Sequence, residues 1–310
     1  MSPTTPGIHH VTAIGSDPSR NYEFYTDTLG LRLVKQSVNQ DDVSVYHLFY
    51  GDRSGSPGTS MTFFPYQNAR PGRVGTGQVS TTAFLIPGES VGYWVDRLED
   101  RTVDVDEPVD RFGDTVVPFR DPDGLPLELV ARDDVPPGDP PDNPVPPENA
   151  IRGFFGVSLS VASAHTTSSL LEEMGYRPTD RTDGCVRYES DGELGYMVDL
   201  LERPQAHQGI PGAGTVHHVA FEIEREDQTD CREFLMDHGL RPTEVIDRTW
   251  FESIYARTAG GILFEFATKE PGYTVDEDLD ELGDRLTLPS WLENRREEIE
   301  AGLPPLATKR

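Results

Sequence analysis

Residues 214–223 read GTVHHVAFEI and residues 261–267 read GILFEFA. Both are short, rich in β-branched and aromatic residues, and bounded by glycine, so both read as strands. Neighbouring side chains on a strand point to opposite faces. On that rule Val219, Phe221 and Ile223 share a helix-packed face with His217, and His218 shares the concave face with Ala220. In the second stretch Ile262, Phe264 and Phe266 form the core face, and Glu265 lies opposite with Leu263 and Ala267. A carboxylate in so apolar a strand is costly unless charged partners or a metal compensate. In an antiparallel sheet with this strand order, Glu265 and His218 are expected to meet across the concave face.

Working outward, the same order of elements recurs four times: strand, helix, then three strands. The first unit opens with GIHHVTAIG (7–15), followed by a helix capped by Asp17, started by Pro18 and closed by Gly30. The second opens with QVSTTAFLI and carries the turn DPDG at 121–124, the third opens with FFGVSLSV, and the fourth contains the two strands above. This predicts an α+β fold of four βαβββ modules forming cup-shaped mixed sheets, two modules per half. The boundaries are 1–132 for the first pair, 133–150 for a linker, 151–268 for the second pair and 269–310 for an acidic tail. DDVPPGDPPDNPVPPEN (133–149) holds seven prolines, which exclude helix and central strand and predict a stiff, exposed linker. The tail is expected to end in a helix over PSWLENRREEIEAGL, with Pro289 near its start and Gly302 near its end.

His9-His10 and His217-His218 occupy matching positions in the first and fourth units, whereas the second and third have no histidine in their first strands. Two imidazoles and one carboxylate are the donor set of the facial triad in non-haem iron(II) oxygenases. One cup, from units one and four, therefore has two histidines and a glutamate. The other has only Glu128 and Asp199, read as structural, which predicts one metal per chain. His47, between apolar strand residues, also reads as structural, and helix-end roles suffice for His165 and His238. His207, in the loop RPQAHQGIPGAG, is a candidate acid–base group if that loop covers the cup.

DPDGLPLEL resembles a module ending of the vicinal oxygen chelate superfamily, which includes glyoxalases, bleomycin-resistance proteins and dioxygenases. GIHHVTAI, YHLFYGD, PGTSMTFFP, GTVHHVAFEI, DRTWFESIYARTAGGILFE and YTVDEDL resemble its ring-cleaving dioxygenases that act on hydroquinones. The resemblance implies iron(II), with manganese as the alternative ion, held by His10, His218 and Glu265. It implies catalytic roles for His9, Thr12, Arg248 and Tyr255, with an aromatic diol and O₂ as substrates. Alternatives on the same fold are a catechol extradiol dioxygenase, a glyoxalase-type metal isomerase and a metal-free binding protein. The isomerase usually needs a fourth protein ligand, often a second glutamate, and TSMTFFP in unit one offers no carboxylate.

Composition sets the outer bounds. The net charge is −27 and only three lysines occur, which disfavours a nucleic-acid partner. No apolar run suits a membrane helix, and the N-terminus lacks signal-peptide character, so a cytoplasmic protein is expected. Cys185 and Cys231 read as buried small residues, and a homo-oligomer is compatible with the sequence. Such acidity on a folded chain self-repels when poorly screened. The melting temperature should rise as salt shortens the Debye length from ~30 Å at 0.01 M to ~3 Å at 1 M. Thermal melts across a salt series check this, and a flat profile would assign the acidity another purpose.

Overall fold

The computed structural model describes residues 3–142 and 144–306. Module one comprises β1 (Ile8–Gly15), α1 (Pro18–Glu23), β2 (Arg32–Asn39), β3 (Asp42–Gly51) and β4 (Ser60–Pro65). The Asp17 side chain accepts the Arg20 backbone N–H at the start of α1, which continues as one π-helical stretch, Phe24–Thr28. Module two comprises β5 (Gln78–Pro87), α2 (Val91–Asp100), β6 (Val109–Arg111), β7 (Asp114–Arg120) and β8 (Pro126–Arg132). Module three comprises β9 (Gly153–Val161), α3 (His165–Glu173), β10 (Arg177–Thr182), β11 (Cys185–Glu189) and β12 (Met197–Glu202). Module four comprises β13 (Thr215–Ile223), α4 (Gln228–Asp237), β14 (Ile246–Asp247), β15 (Glu252–Arg257) and β16 (Leu263–Thr268).

Two eight-stranded mixed sheets result, with orders β14-β15-β16-β13-β1-β4-β3-β2 and β10-β11-β12-β9-β5-β8-β7-β6. Modules one and four thus share one sheet, and modules two and three the other. At each centre two first strands pair antiparallel, β1 with β13 and β5 with β9. The last strand of each module runs parallel to its first, so β13 and β16 lie parallel with Ala220 beside Glu265, not antiparallel as expected. A single apolar cluster, including Val11, Phe84, Trp94, Leu159, Phe221 and Phe264, runs through both sheets.

Two peripheral segments, the linker and the tail, differ from the sequence reading. The linker is proline-rich as read but is not simply exposed: Val145 and Ala150 are buried in the core, and the Trp94 indole donates to the Asn149 carbonyl. The tail helix is shorter than expected, with α5 covering only Arg296–Gly302. Ahead of it the tail lies along the edge strand β2: the Thr287 N–H donates to the Gln36 carbonyl and the Ser37 hydroxyl to the Thr287 carbonyl. Covering an edge in this way removes a site for unwanted strand pairing. Lys35 on β2 is fully buried and pairs with Glu277 and, at 2.7 Å, with Asp276. Finally, β10 is a strand of entirely exposed residues, so it has no apolar face for the sequence to reveal.

The cup of modules two and three is filled by ion pairs. Arg111 binds Glu128 through two hydrogen bonds of 2.8 Å. Arg187, 2% exposed, makes two to Asp199 at 2.7 and 2.8 Å and a third to Asp114 at 2.7 Å. Removing one partner strands a buried charge, at a typical cost of about 3–5 kcal/mol. Asp199→Ala should lose stability on that scale in urea unfolding while the folded fraction keeps its metal. A loss under ~1 kcal/mol would show that Arg187 reaches water without Asp199.

Candidate metal centre

Strand irregularities decide the site. The β1–β13 ladder pairs Ile8 with Phe221 but His10 with Ala220, so His9 is an extra, bulged residue. It pairs Thr12 with His218 but Ala13 with Val216, so His217 is bulged in the same way. A bulge re-aims side chains, and such features cluster beside active sites. Here both members of each His-His pair leave the core face. His217 does not pack with Val219 and Phe221 as strict alternation predicted; it opens to solvent at the rim of a cavity.

His10, His218 and Glu265 are buried, with one ligand atom from each within 4.8 Å of the others. His218 Nε2 lies 2.8 Å and His10 Nε2 3.3 Å from Glu265 Oε2, and the two nitrogens are 3.3 Å apart. Despite these distances Oε2 makes no well-aligned hydrogen bond. Three donor atoms converging on one point, with the buried Oε2 left without a hydrogen bond, suit a metal ion. Burial alone would raise the Glu265 pKa, but the adjacent His10 and His218 imidazoles outweigh it and hold the carboxyl well below its usual range.

The surrounding groups fix this convergence. His10 Nδ1 lies 2.9 Å from His9 Nδ1, and His218 Nδ1 lies 2.8 Å from His217 Nδ1. With each ligand's Nε2 lone pair on the metal point, its proton sits on Nδ1 and is donated to the preceding histidine. His9 in turn donates to the Thr268 backbone, and burial, followed by the neighbouring His10, lowers its pKa to about 3. The Ser253 hydroxyl donates to Glu265 Oε1 at 2.5 Å, leaving Oε2 for the metal point.

The cavity in front has a volume of about 310 Å³. Arg248 and Tyr255 line it with His10, His218, His47, His217, Phe49, Phe64, Trp250, Phe251 and Leu263. Arg248 donates from Nε to the Tyr255 hydroxyl at 3.2 Å and from Nη2 to Asp41 at 3.3 Å. Burial, then the Glu265 charge, raises the Tyr255 pKa, so its hydroxyl stays protonated. His9 and Thr12 sit behind the ligands and not on the cavity wall; Thr12 Oγ1 instead bonds Thr62 Oγ1 at 2.7 Å.

Other predicted positions fall elsewhere. His207 is exposed and not among the lining residues, because its loop is held against Thr76, which donates its N–H to the His207 carbonyl. His238 bonds the Phe234 carbonyl and Glu173. His165 opens α3, away from the site. His47, read from sequence as structural, lines the cavity, while Ser253 was overlooked. The signal for Ser253 was alternation: Ser253 and Tyr255 share one face of β15, and Tyr255 pairs with Glu265 across the ladder.

Residues 7–129 match the Glyoxalase/Bleomycin resistance protein/Dioxygenase superfamily. A Bacillus subtilis relative, named "Putative ring-cleaving dioxygenase MhqO", is 42% identical over 100% of this chain and 99% of its own length. The chain belongs to this superfamily. A chlorohydroquinone/hydroquinone 1,2-dioxygenase from Sphingobium indicum is 34% identical over 94% of both chains. A solved dioxygenase-type structure from Bacillus subtilis superposes with a TM-score of 0.95 at 42% identity over 99% of each chain. Glyoxalase I from Zea mays shares the fold, with a TM-score of 0.65 at 14% identity over 85% of this chain and 92% of that one. Among the described residues no helix is long and apolar enough to cross a membrane.

Loss of a ligand should empty the site. His218→Ala and Glu265→Ala should each retain under a tenth of the wild-type metal after dialysis, with unchanged circular dichroism. Ser253→Ala should keep the metal but bind it ~10–100-fold more weakly, as is typical for loss of a group orienting a ligand. Elemental analysis and chelator competition measure both, and full occupancy in either ligand variant would remove that residue from the set.

Proposed function

We propose that this protein is an iron(II)-dependent dioxygenase that opens the ring of a hydroquinone, inserting both atoms of O₂. The observation carrying this reading is a two-histidine, one-glutamate donor set at the floor of an aromatic-walled cavity with a guanidinium on its wall. The relatives named for ring cleavage, one of them for hydroquinones, support the reaction class. The donor set is that of non-haem iron(II) oxygenases, and manganese is the alternative ion. When bound there, iron(II) supplies Lewis acidity and a path for electrons from the diol to O₂.

The chain's own residues do the rest. Phe49, Phe64, Trp250 and Phe251 exclude water and hold an aromatic ring. Arg248 stabilises the negative charge of a diol that has lost one proton, and it needs no proton change of its own. Tyr255, held by Arg248, keeps its proton and donates a hydrogen bond toward the substrate oxygen. His9 is removed from direct proton transfer because both ring nitrogens are occupied, one by His10 and one by Thr268. It acts by orienting His10, and Thr12 acts through Thr62.

The geometry disfavours a glyoxalase-type isomerase. Glu265 lies beside Ala220, two residues after the ligand His218, across parallel strands. The related position in module one lies beside Thr12, two residues after His10, and is Thr62. A threonine whose hydroxyl is bonded to two neighbours is no fourth metal ligand.

After anaerobic loading with iron(II), the protein should consume one O₂ per hydroquinone, with ring-opened product. No O₂ uptake with any hydroquinone or catechol, under iron or manganese, would overturn the reading. Arg248→Leu should lower kcat/KM about 10²–10³-fold at unchanged metal content, the usual cost of removing a stabilising donor. A change within threefold would leave Arg248 as a partner of Asp41 alone.

A further inference from the structure

On the module-one side the cavity wall carries the aromatic rings of Phe49, Phe64 and Tyr66, with His47 set among them and Asn39, Gln40 and Asp41 at the β2–β3 turn. Its ring lies between Phe49 and Phe64, with centroids at 3.8 and 4.4 Å, so it has little freedom to turn. Its Nε2 is fixed by Thr62 Oγ1 at 3.0 Å, and Thr62 is fixed by Thr12 Oγ1 at 2.7 Å. Its Nδ1 has no hydrogen-bond partner among the described residues, and the half-buried ring faces the cavity. Two hydroxyls and two aromatic rings therefore hold the ring on the cavity wall with one polar edge unbonded.

The register places that edge relative to the metal point. Thr12 and Thr62 pair one step of two residues along the strands from His10 and Ser60. That step is ~7 Å. His47 lies two residues beyond Phe49, the partner of Thr62 on β3, and reaches back to Thr62. The Thr62 layer, to which His47 is bonded, thus lies one such step from the ligand layer, on the scale of an aromatic ring. A 1,2-diol presents both oxygens at the metal end and leaves this edge unused. A 1,4-diol carries its second oxygen to it.

We propose that His47 is a specificity-determining residue, whose ring edge hydrogen-bonds the far hydroxyl of a 1,4-diol bound in the cavity. The proposal rests on the ring-cleaving reading of the site and adds how para-diols are preferred. Burial above all holds the imidazole well below its ordinary pKa. It therefore stays neutral and can donate or accept, according to its tautomer. Thr62 has a double part in this: where a fourth ligand would stand, its hydroxyl instead orients the group that reads the substrate.

The test compares hydroquinone with 4-methylphenol, which has the same shape but no far hydroxyl. Binding to the protein as prepared is followed by quenching of tryptophan fluorescence, since Trp250 lines the cavity. Wild type should bind hydroquinone about tenfold more tightly, the usual worth of one neutral hydrogen bond. His47→Phe should abolish the preference by weakening hydroquinone alone, His47→Gln should restore part of it, and Thr62→Val should reduce it. In O₂ uptake, His47→Phe should raise KM for hydroquinone more than for catechol. Equal binding of the two ligands by wild type, or a preference that survives in His47→Phe, overturns the proposal while diol turnover still supports the reaction. A wild-type protein that consumes O₂ with no diol takes both down together.

Discussion

Three acceptor atoms facing one another out of reach of water are the constraint on which the site depends. Glu265 Oε2 and the Nε2 atoms of His10 and His218 lie 2.8 to 3.3 Å apart, and with both imidazole protons on Nδ1 these contacts would set lone pair against lone pair. Such a cluster persists only where surrounding groups fix it. His9 and His217 do so from bulges in β1 and β13 and Ser253 from β15, while Phe251, just before β15, packs its ring 5.0 Å from the His10 ring. The four central strands of the sheet, β16-β13-β1-β4, carry the ligands and Thr62. A site on strands is held more rigidly than one on loops, as closely placed ligand atoms require.

The legible part of this was the alternation in GILFEFA. Phe264 and Phe266 are core residues and Glu265 points the other way, as the pattern required. The same rule failed at His217 and was silent about His9, because each is a bulge. A bulge belongs to a pair of strands, and the two strands here lie 208 residues apart at their ligands. A trace of it is nonetheless in the sequence. Ile8 and Val11 are both core, as are Val216 and Val219, and each pair brackets two histidines. Core residues three apart in a strand, where alternation demands two, mark an extra residue between them. His47 was illegible for a different reason: its apolar neighbours are the clamp that aims it, and they look the same as a burial signal.

Long-range pairing also explains what the periphery concealed. Seven prolines exclude regular structure from the linker but say nothing about packing, and Val145 is in the core. Lys35 looks like an ordinary strand lysine until the tail brings Asp276 and Glu277 onto it. Asp276 also accepts the Trp250 indole N–H at 2.9 Å, so the tail braces a wall of the cavity from behind.

The internal duplication explains why one cup carries ligands and the other does not. In the second sheet the ladder is irregular at the same places, with Ser80 and Phe155 as the extra residues. The residues that follow them, Thr81 and Gly156, correspond to His10 and His218. Glu128 and Asp199 stand beside Ala83 and Ser158, as Glu265 stands beside Ala220. The carboxylates are therefore retained and the imidazoles are not. At Gly156 a histidine is sterically excluded, because a Cβ there would lie 1.9 Å from the Met197 carbonyl oxygen. The charge that a metal would supply comes from Arg111 and Arg187, each bonded through two nitrogens to its carboxylate. A covalently built-in cation needs no open coordination position, so it leaves no cavity for substrate. The second cup thus balances its buried carboxylates with arginine, and the cup that has two imidazoles beside its carboxylate is the one that keeps an open cavity.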